Sequence, residues 1–292
     1  MPDGVIWRLK IAAKLLLSRL PLPYRVWQRL SMFRHGRMDD PEYAIGVVER
    51  HMRNSGFEHL KGLAVLELGP GDSVASAVIA HALGARSVYL VDVTADARKD
   101  IGSYVALCEE LERRGLRPVK LSQSDSVATM LGRCGARYLT DGLASLAQIP
   151  SGSIDFAWSH AVLEHVALAD FAATMEELRR VLSPAGVTSN RVDFEDHLVG
   201  SLNNLRFATS RWETPAFRRS GFYTNRLRCS GVIGALKAAG FDEVEQLTGD
   251  TWDHQPLPTE KLAAEFRRLP DLDLRTRGAD ILARLHPASG AR

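Results

Sequence analysis

At 292 residues the chain has room for one large domain, or for a domain with an extension. Its 45% hydrophobic and 25% charged content is that of a soluble globular protein, and a net charge of only +2 excludes a nucleic-acid binder working through bulk charge. Cys108, Cys134 and Cys229 are too few and too scattered for a disulfide framework or a zinc spacing. That usage, with no apolar run long enough to cross a bilayer, gives a cytoplasmic expectation.

In chain order, residues 5–20 pattern as a helix. Val5, Leu9, Ala12, Leu16 and Leu20 fall on its main apolar side, and Pro21 and Pro23 end it. Residues 1–38 hold eight Lys/Arg and one Asp, or +7, which leaves −5 for the rest of the chain. With the Trp7, Ile11 and Leu15 stripe, this basic helix is expected to be a packing element or lid, and it also permits peripheral contact with a membrane surface. A second helix is predicted from Pro41, capped by Asp40, to about Asn54 before Gly56.

Strands are then expected near 63–67, 86–92, 136–140, 154–159 and 186–192, and helices near 73–83, 97–114 and 170–182. A helix over 231–239, a strand over 241–247 and a last strand over 279–285 complete the pattern. Alternation of this kind implies a doubly wound α/β fold on a mostly parallel sheet of seven strands. Residues 1–60 form the helical extension or lid, and 61–292 form the core. Residues 194–229 break the alternation and read as an acceptor-binding insertion at the carboxyl ends of the strands.

The first strand runs into Glu67-Leu68-Gly69-Pro70-Gly71-Asp72-Ser73. Glycines in such a turn let a ligand approach the backbone beside a helix N-terminus. Ser73 is small and can cap that helix. The next strand ends in Asp92, where a carboxylate can accept hydrogen bonds from both hydroxyls of a ribose. The position three after Gly71 is Val74, so the dinucleotide pattern G-x-G-x-x-G is not met.

The E-x-G-x-G pattern resembles motif I of class I S-adenosylmethionine (SAM)-dependent methyltransferases, with Ser73 in place of a third glycine. Residues 153–166, SIDFAWSHAVLEHV, look like the fourth-strand motif of the branch that includes the ubiquinone/menaquinone C-methyltransferases. Residues 177–186, ELRRVLSPAG, resemble the helix and turn that precede strand five in that family. The resemblance implies a Rossmann-like enzyme with SAM as its cofactor. It implies that Gly69 and Gly71, with Asp72 and Ser73, pass the amino-acid end of SAM, and that Glu67 sets the turn and reaches the SAM amine through water. Asp92 and Val93 would hold the ribose side, Asp141, Gly142 and Leu143 the adenine, and Ser159 and His160 the methionine portion.

His165 is expected to be a structural histidine on a helix against the sheet. Asp193, Asp196 and His197 follow strand five at the expected acceptor opening, where His197 can act as general base with Asp193 or Asp196 fixing its tautomer. The same three can hold a hard divalent cation, but nothing in their spacing demands one and no metal is assigned. In the insertion, Arg206, Arg211, Trp212, Tyr223, Asn225 and Arg226 are the expected acceptor contacts, since guanidinium forks bind anions and aromatic faces stack on sugars. The expectation is methyl transfer to oxygen of a small molecule, glycan or glycolipid. The alternatives are C- or O-methylation of a quinone-like ring, and a SAM-binding regulatory protein without catalysis. Nucleic acid is not an expected partner: the chain lacks the Asn/Asp-Pro-Pro-Tyr segment that family resemblance associates with nucleobase amines.

Overall fold

The structure is a computed structural model that describes residues 7–12 and 37–285 of the chain. The sheet comprises β1 (Ala64–Leu68), β2 (Ser87–Val91), β3 (Ala136–Leu139), β4 (Ile154–His160), β5 (Leu182–Asp193), β6 (Glu243–Thr251) and β7 (Thr276–Arg284). Their order is β3-β2-β1-β4-β5-β7-β6. Neighbours from β3 to β5 pair in parallel, and β7 lies antiparallel between β5 and β6. The sheet is therefore mixed, with one reversed strand. The order reverses between β1 and β4, the switch point beyond which such folds place ligands.

β1 is buried at every position, as expected of a central strand covered on both faces. Its alternation divides the core. Val65 faces the layer that contains α1 (Pro41–Ser55), α2 (Ala75–Ala82) and α3 (Gly102–Arg113). Leu66 and Leu68 face the layer of α5 (Leu168–Val181) and α6 (Cys229–Ala238). The short α4 (Val127–Arg133) escapes the sequence pattern because Met130 is its sole buried residue, which leaves no amphipathic stripe to read.

Helix α1 obeys its local signals. Asp40 Oδ1 accepts from the amides of Glu42 and Tyr43, and Gly56 closes the helix at φ +79°. The helix is tied into the sheet rather than laid over it. Arg50 binds Asp280 of β7 in bidentate fashion at 3.0 and 2.5 Å, and His51 Nδ1 lies 2.9 Å from Ser189 Oγ of β5.

The N-terminal helix differs from expectation where it is described. Trp7 and Ile11 are buried against the insertion, while Leu9, placed on the main apolar side, is 63% exposed. Lys10 Nζ donates to the Leu198 carbonyl at 2.8 Å. The described part of the side stripe is thus committed to packing and not free for a membrane. Leu15, Leu16, Leu20, Pro21 and Pro23 lie outside the described residues. Among those described, no helix is long and apolar enough to cross a membrane.

Candidate active site

Gly69 and Gly71 both take positive φ, +69° and +64°. A Cβ on Gly69 would lie 2.4 Å from Val162 Cγ2, so glycine there lets the turn after β1 pack against the loop after β4. Nothing lies within 4 Å of a Cβ on Gly71, so that turn opens onto free space. Asp92 braces it: Oδ2 accepts from Gly71 N at 2.9 Å, and Oδ1 from Val93 N at 2.7 Å. Burial raises the Asp92 carboxyl above its usual range, and these amides partly offset the effect. Thr94 N bonds the carboxylate as well, which leaves about one of its four lone-pair sites open to a ligand hydroxyl.

Three predicted clusters meet beside this turn. Val93 is 74% exposed and apolar, and a Cβ on Gly142 would come within 3.1 Å of its Cγ1. Gly142 N donates to the Asp92 carbonyl at 2.8 Å, which holds Asp141, Gly142 and Leu143 against Asp92 and Val93. An exposed apolar side chain thus stands between the Asp92 carboxylate and a tight glycine. Ser73 Oγ accepts from Ala75 N at 3.2 Å, but the N-cap of α2 is Val74, so Ser73 stands one residue before the cap it was expected to form; Asp72 is buried with its carbonyl bound to Arg98 N.

Two expectations change here. Glu67 does not face the opening. Its buried carboxylate accepts from Ser76 Oγ of α2 and from Trp158 Nε1 of β4 at 3.2 Å, and burial pushes it up to about 7. It braces the turn from beneath. Ser159 is also fully buried, and its hydroxyl donates to Asn190 Oδ1 of β5 at 2.9 Å, so it faces the sheet interior.

His160 remains at the opening, and His51, which the sequence did not single out, stands behind it. His51 Nε2 lies 3.1 Å from His160 Nδ1. Burial lowers His160 to about 4 and His51 to about 3, with the paired imidazole adding to the effect on His51. Both are therefore neutral at neutral pH.

A cavity of about 600 Å³ opens from His160 and Ala161 to Arg191, Asp193, Glu195, Asp250 and Arg277. Arg191 pairs with Asp250, yet its buried Nη1 has no hydrogen-bond partner. Arg277 Nε bonds Glu195 Oε1 at 2.6 Å. Arg191 and Arg277 were not expected as site residues. Arg191 sits inside a strand and Arg277 at the start of the last one, far from the Arg-rich insertion that drew attention.

The insertion itself is a small aromatic core. Trp212 is fully buried and donates to the Thr224 carbonyl at 2.7 Å. The Tyr223 hydroxyl accepts from Leu168 N and donates to Glu213 at 3.0 Å. Asn225 Nδ2 ties the insertion to the carbonyls of Leu163 and Val166. Arg226, at φ +65°, donates to the Phe207 carbonyl at 2.6 Å and to Thr209 Oγ1 at 2.9 Å, and burial lowers it to about 10. Arg206 lies over the Trp7 ring at 5.1 Å, and Arg211 over Phe207 at 5.6 Å. None of these six lines the 600 Å³ cavity. Their interleaving of Arg with aromatics is satisfied internally by cation–π contacts and buried hydrogen bonds.

After β5, His197 Nε2 lies 3.8 Å from Asp193 Oδ2. Burial would raise Asp193, but the bonds from His197 and Glu195 N outweigh it and hold the carboxyl below its usual range. Asp196 is not His197's partner. Its carboxylate accepts from the amides of Leu198, Val199 and Asn203 and from Asn203 Nδ2, which organises the loop. His165 sits on a single 3-10 turn, Leu163–His165, rather than on a packed helix, and it faces the His197 ring at 4.8 Å.

With this geometry in place, the comparisons bear on its class. Residues 66–189 match the family model described as "Methyltransferase domain". No curated protein matches the chain in sequence. Among solved structures, the chain is similar to Haemonchus contortus phosphoethanolamine N-methyltransferase 2 at 15% identity and a TM-score of 0.46, covering 82% of this chain and 52% of that one. The chain thus spans about half the length of that enzyme. It is similar also to an arsenic(III) SAM methyltransferase from Chlamydomonas reinhardtii, at 18% identity, 97% and 75% coverage and a TM-score of 0.45. A third likeness is to a SAM-dependent methyltransferase from Methanosarcina mazei, at 18% identity, 77% and 93% coverage and a TM-score of 0.46. Residues 66–189 thus match a methyltransferase domain.

Proposed function

We propose that the protein methylates a hydroxyl oxygen of a polar small molecule, such as a sugar of a glycan or glycolipid, held in the cavity at the carboxyl ends of β4 and β5. The observation that carries this reading is the junction at the end of β4. Gly69 of the glycine turn abuts Val162, two residues beyond His160, and His160 lines the cavity. Donor turn and acceptor cavity therefore share one wall.

In this reading Gly69, Gly71, Asp72 and Ser73 cradle the amino-acid end of SAM. Asp92 accepts a ribose hydroxyl, and Val93 with Asp141, Gly142 and Leu143 flanks the adenine. When bound, SAM supplies a methyl group on a positively charged sulfur, which the acceptor oxygen takes as the C–S bond breaks. The work left to the chain is to orient the acceptor, exclude water and deal with the hydroxyl proton. Arg191, which lines the cavity paired with Asp250, offers its guanidinium charge to an acceptor oxygen, carboxylate or phosphate. His197, beside Asp193, is placed to act on the acceptor proton.

The polar wall weighs against a quinone-like ring, which would desolvate the Arg191–Asp250 and Arg277–Glu195 pairs without offering them new hydrogen bonds. The test is to compare Arg191→Ala with the parent protein. The reading expects a raised KM for the acceptor and unchanged SAM affinity. Methylation of a neutral apolar ring, unaffected by Arg191→Ala, would reject it.

A further inference from the structure

Glu164 is buried to 4% exposure, and among the described residues no side chain pairs with its carboxylate. A buried carboxylate in that condition is costly unless a cation or a proton satisfies it. Around it, one donor atom each from Glu164, His165 and His197 lie within 4.8 Å of one another. We propose that these three residues form a binding site for a divalent transition-metal cation at the edge of the acceptor cleft.

The backbone fixes the site. Glu164 and His165 stand on the turn that follows β4, and His197 on the loop that follows the adjacent parallel strand β5. The turn is held from the insertion, where Asn225 N donates to the Glu164 carbonyl and Asn225 Nδ2 to the Leu163 carbonyl, both at 2.7 Å. His165 Nδ1 lies 3.2 Å from the Tyr223 carbonyl. A carbonyl only accepts, so Nδ1 carries the hydrogen and Nε2 keeps its lone pair. Ligating histidines ordinarily have this tautomer, with the other ring nitrogen donating to a carbonyl or carboxylate. Asp193 Oδ2, 3.8 Å from His197 Nε2, supplies the corresponding carboxylate for the second ring.

Two imidazoles and one carboxylate select the class of ion. Hard magnesium and calcium sites are built of oxygens, whereas imidazole suits zinc, copper, iron or nickel, and the carboxylate also admits manganese. Ligand atoms on one such ion lie about 3.4 Å apart for bonds of about 2.1 Å, so the cluster closes by a short side-chain movement on loading. Three protein ligands leave coordination positions open, the arrangement of a catalytic and not a structural site. Its use rests on the oxygen-acceptor reading. An acceptor hydroxyl on the cation would lose its proton to water near neutral pH, as metal-bound water does. His197 would then serve as a ligand and act on that proton through the cation.

The test is calorimetric titration of chelator-treated full-length protein with Zn²⁺ and, separately, Mn²⁺. No acceptor is needed, so the result stands apart from the identity of the acceptor. The proposal expects one ion per chain, with affinity reduced at least a hundredfold in Glu164→Gln and in His197→Ala. SAM affinity and the thermal midpoint, measured on the same samples, show that each variant is folded. Glu164→Gln keeps the shape of the side chain, and His197 is partly exposed, so the two variants carry different folding risks. Absence of binding to the parent protein, or binding that both folded variants retain, overturns the site.

Discussion

Asp92 and Gly71 are joined directly: Asp92 Oδ2 accepts the Gly71 amide at 2.9 Å, across the two strand ends that form the candidate nucleoside site. The carboxylate therefore shapes the turn as well as facing the opening proposed for the ribose. Asp92→Ala is expected to weaken SAM binding roughly tenfold to a hundredfold, since hydrogen bonds to a charged group contribute about 1.5–3 kcal/mol each. It is also expected to lower the thermal midpoint of the ligand-free protein, because the Gly71 and Val93 amides lose their acceptor. Calorimetry and a thermal melt on the same variant check both halves. Unchanged SAM affinity in a folded variant would remove Asp92 from the ribose.

Arg226 and Arg191 are expected to behave oppositely. Arg226 is buried, holds the Phe207 carbonyl and packs on Trp212 and Phe266, so Arg226→Ala should destabilise the protein by roughly 2–4 kcal/mol through orphaned acceptors and lost packing. Arg191→Ala should leave SAM affinity unchanged and raise the acceptor KM. Urea unfolding of the first and steady-state kinetics of the second separate the roles. A stable Arg226→Ala with an altered acceptor KM would return the insertion to the acceptor site.

The His51–His160 pair predicts acid sensitivity. Both imidazoles are lowered by burial, to about 3 and about 4, from the ordinary value of 6.5. Below pH 6.5 the unfolded chain binds protons that the folded chain refuses, so stability is present above that pH and is lost as pH falls toward 4. At about 1.4 kcal/mol per pH unit for each uncompensated proton, the pair should cost about 4 kcal/mol between pH 7 and pH 5. Urea melts across that range check this against His51→Gln, whose loss should be about half. Identical pH slopes would show that His51 does not contribute.

His197→Ala is expected to lower kcat by about 10²–10⁴-fold with SAM binding intact, the range associated with a group that handles the acceptor proton. Asp196→Ala should instead lower stability, since its carboxylate holds the loop over 196–203 through four hydrogen bonds. Rapid-quench kinetics and a melt on the two variants check this assignment. A near-normal kcat in His197→Ala would remove that side chain from the chemistry.

The strands and the glycine turn facing Asp92 were legible in the sequence because their causes are local. A buried apolar run, a glycine that must take positive φ and a carboxylate at a strand end are each written in a few adjacent residues. Helix α1 was legible down to its Asp40 cap and Gly56 stop. Long-range satisfaction of polar groups was not. Nothing near Glu67 in sequence announces that Ser76 and Trp158 hold it, nor does Ser159 announce Asn190. In the Arg-rich insertion the same holds: Arg206, Arg211 and Arg226 meet aromatic rings and carbonyls of its own small core, while Arg218, Arg219 and Tyr223 line a second cavity of about 410 Å³. The cavity residues Arg191, Asp250 and Arg277 come from strands distant in sequence, and the reversal of β7 brings them together. His51 carried no signal of its own, because its role depends on α1 packing over β5.

The most direct measurement is incubation of the protein with methyl-labelled SAM and a fractionated cell extract, followed by identification of the labelled product. The account predicts label on an oxygen of a polar, hydroxylated small molecule, glycan or glycolipid, with labelling abolished or much reduced in Asp92→Ala and slowed in Arg191→Ala. Label appearing on the ring of a neutral quinone-like compound, with Arg191→Ala as active as the parent, would contradict it.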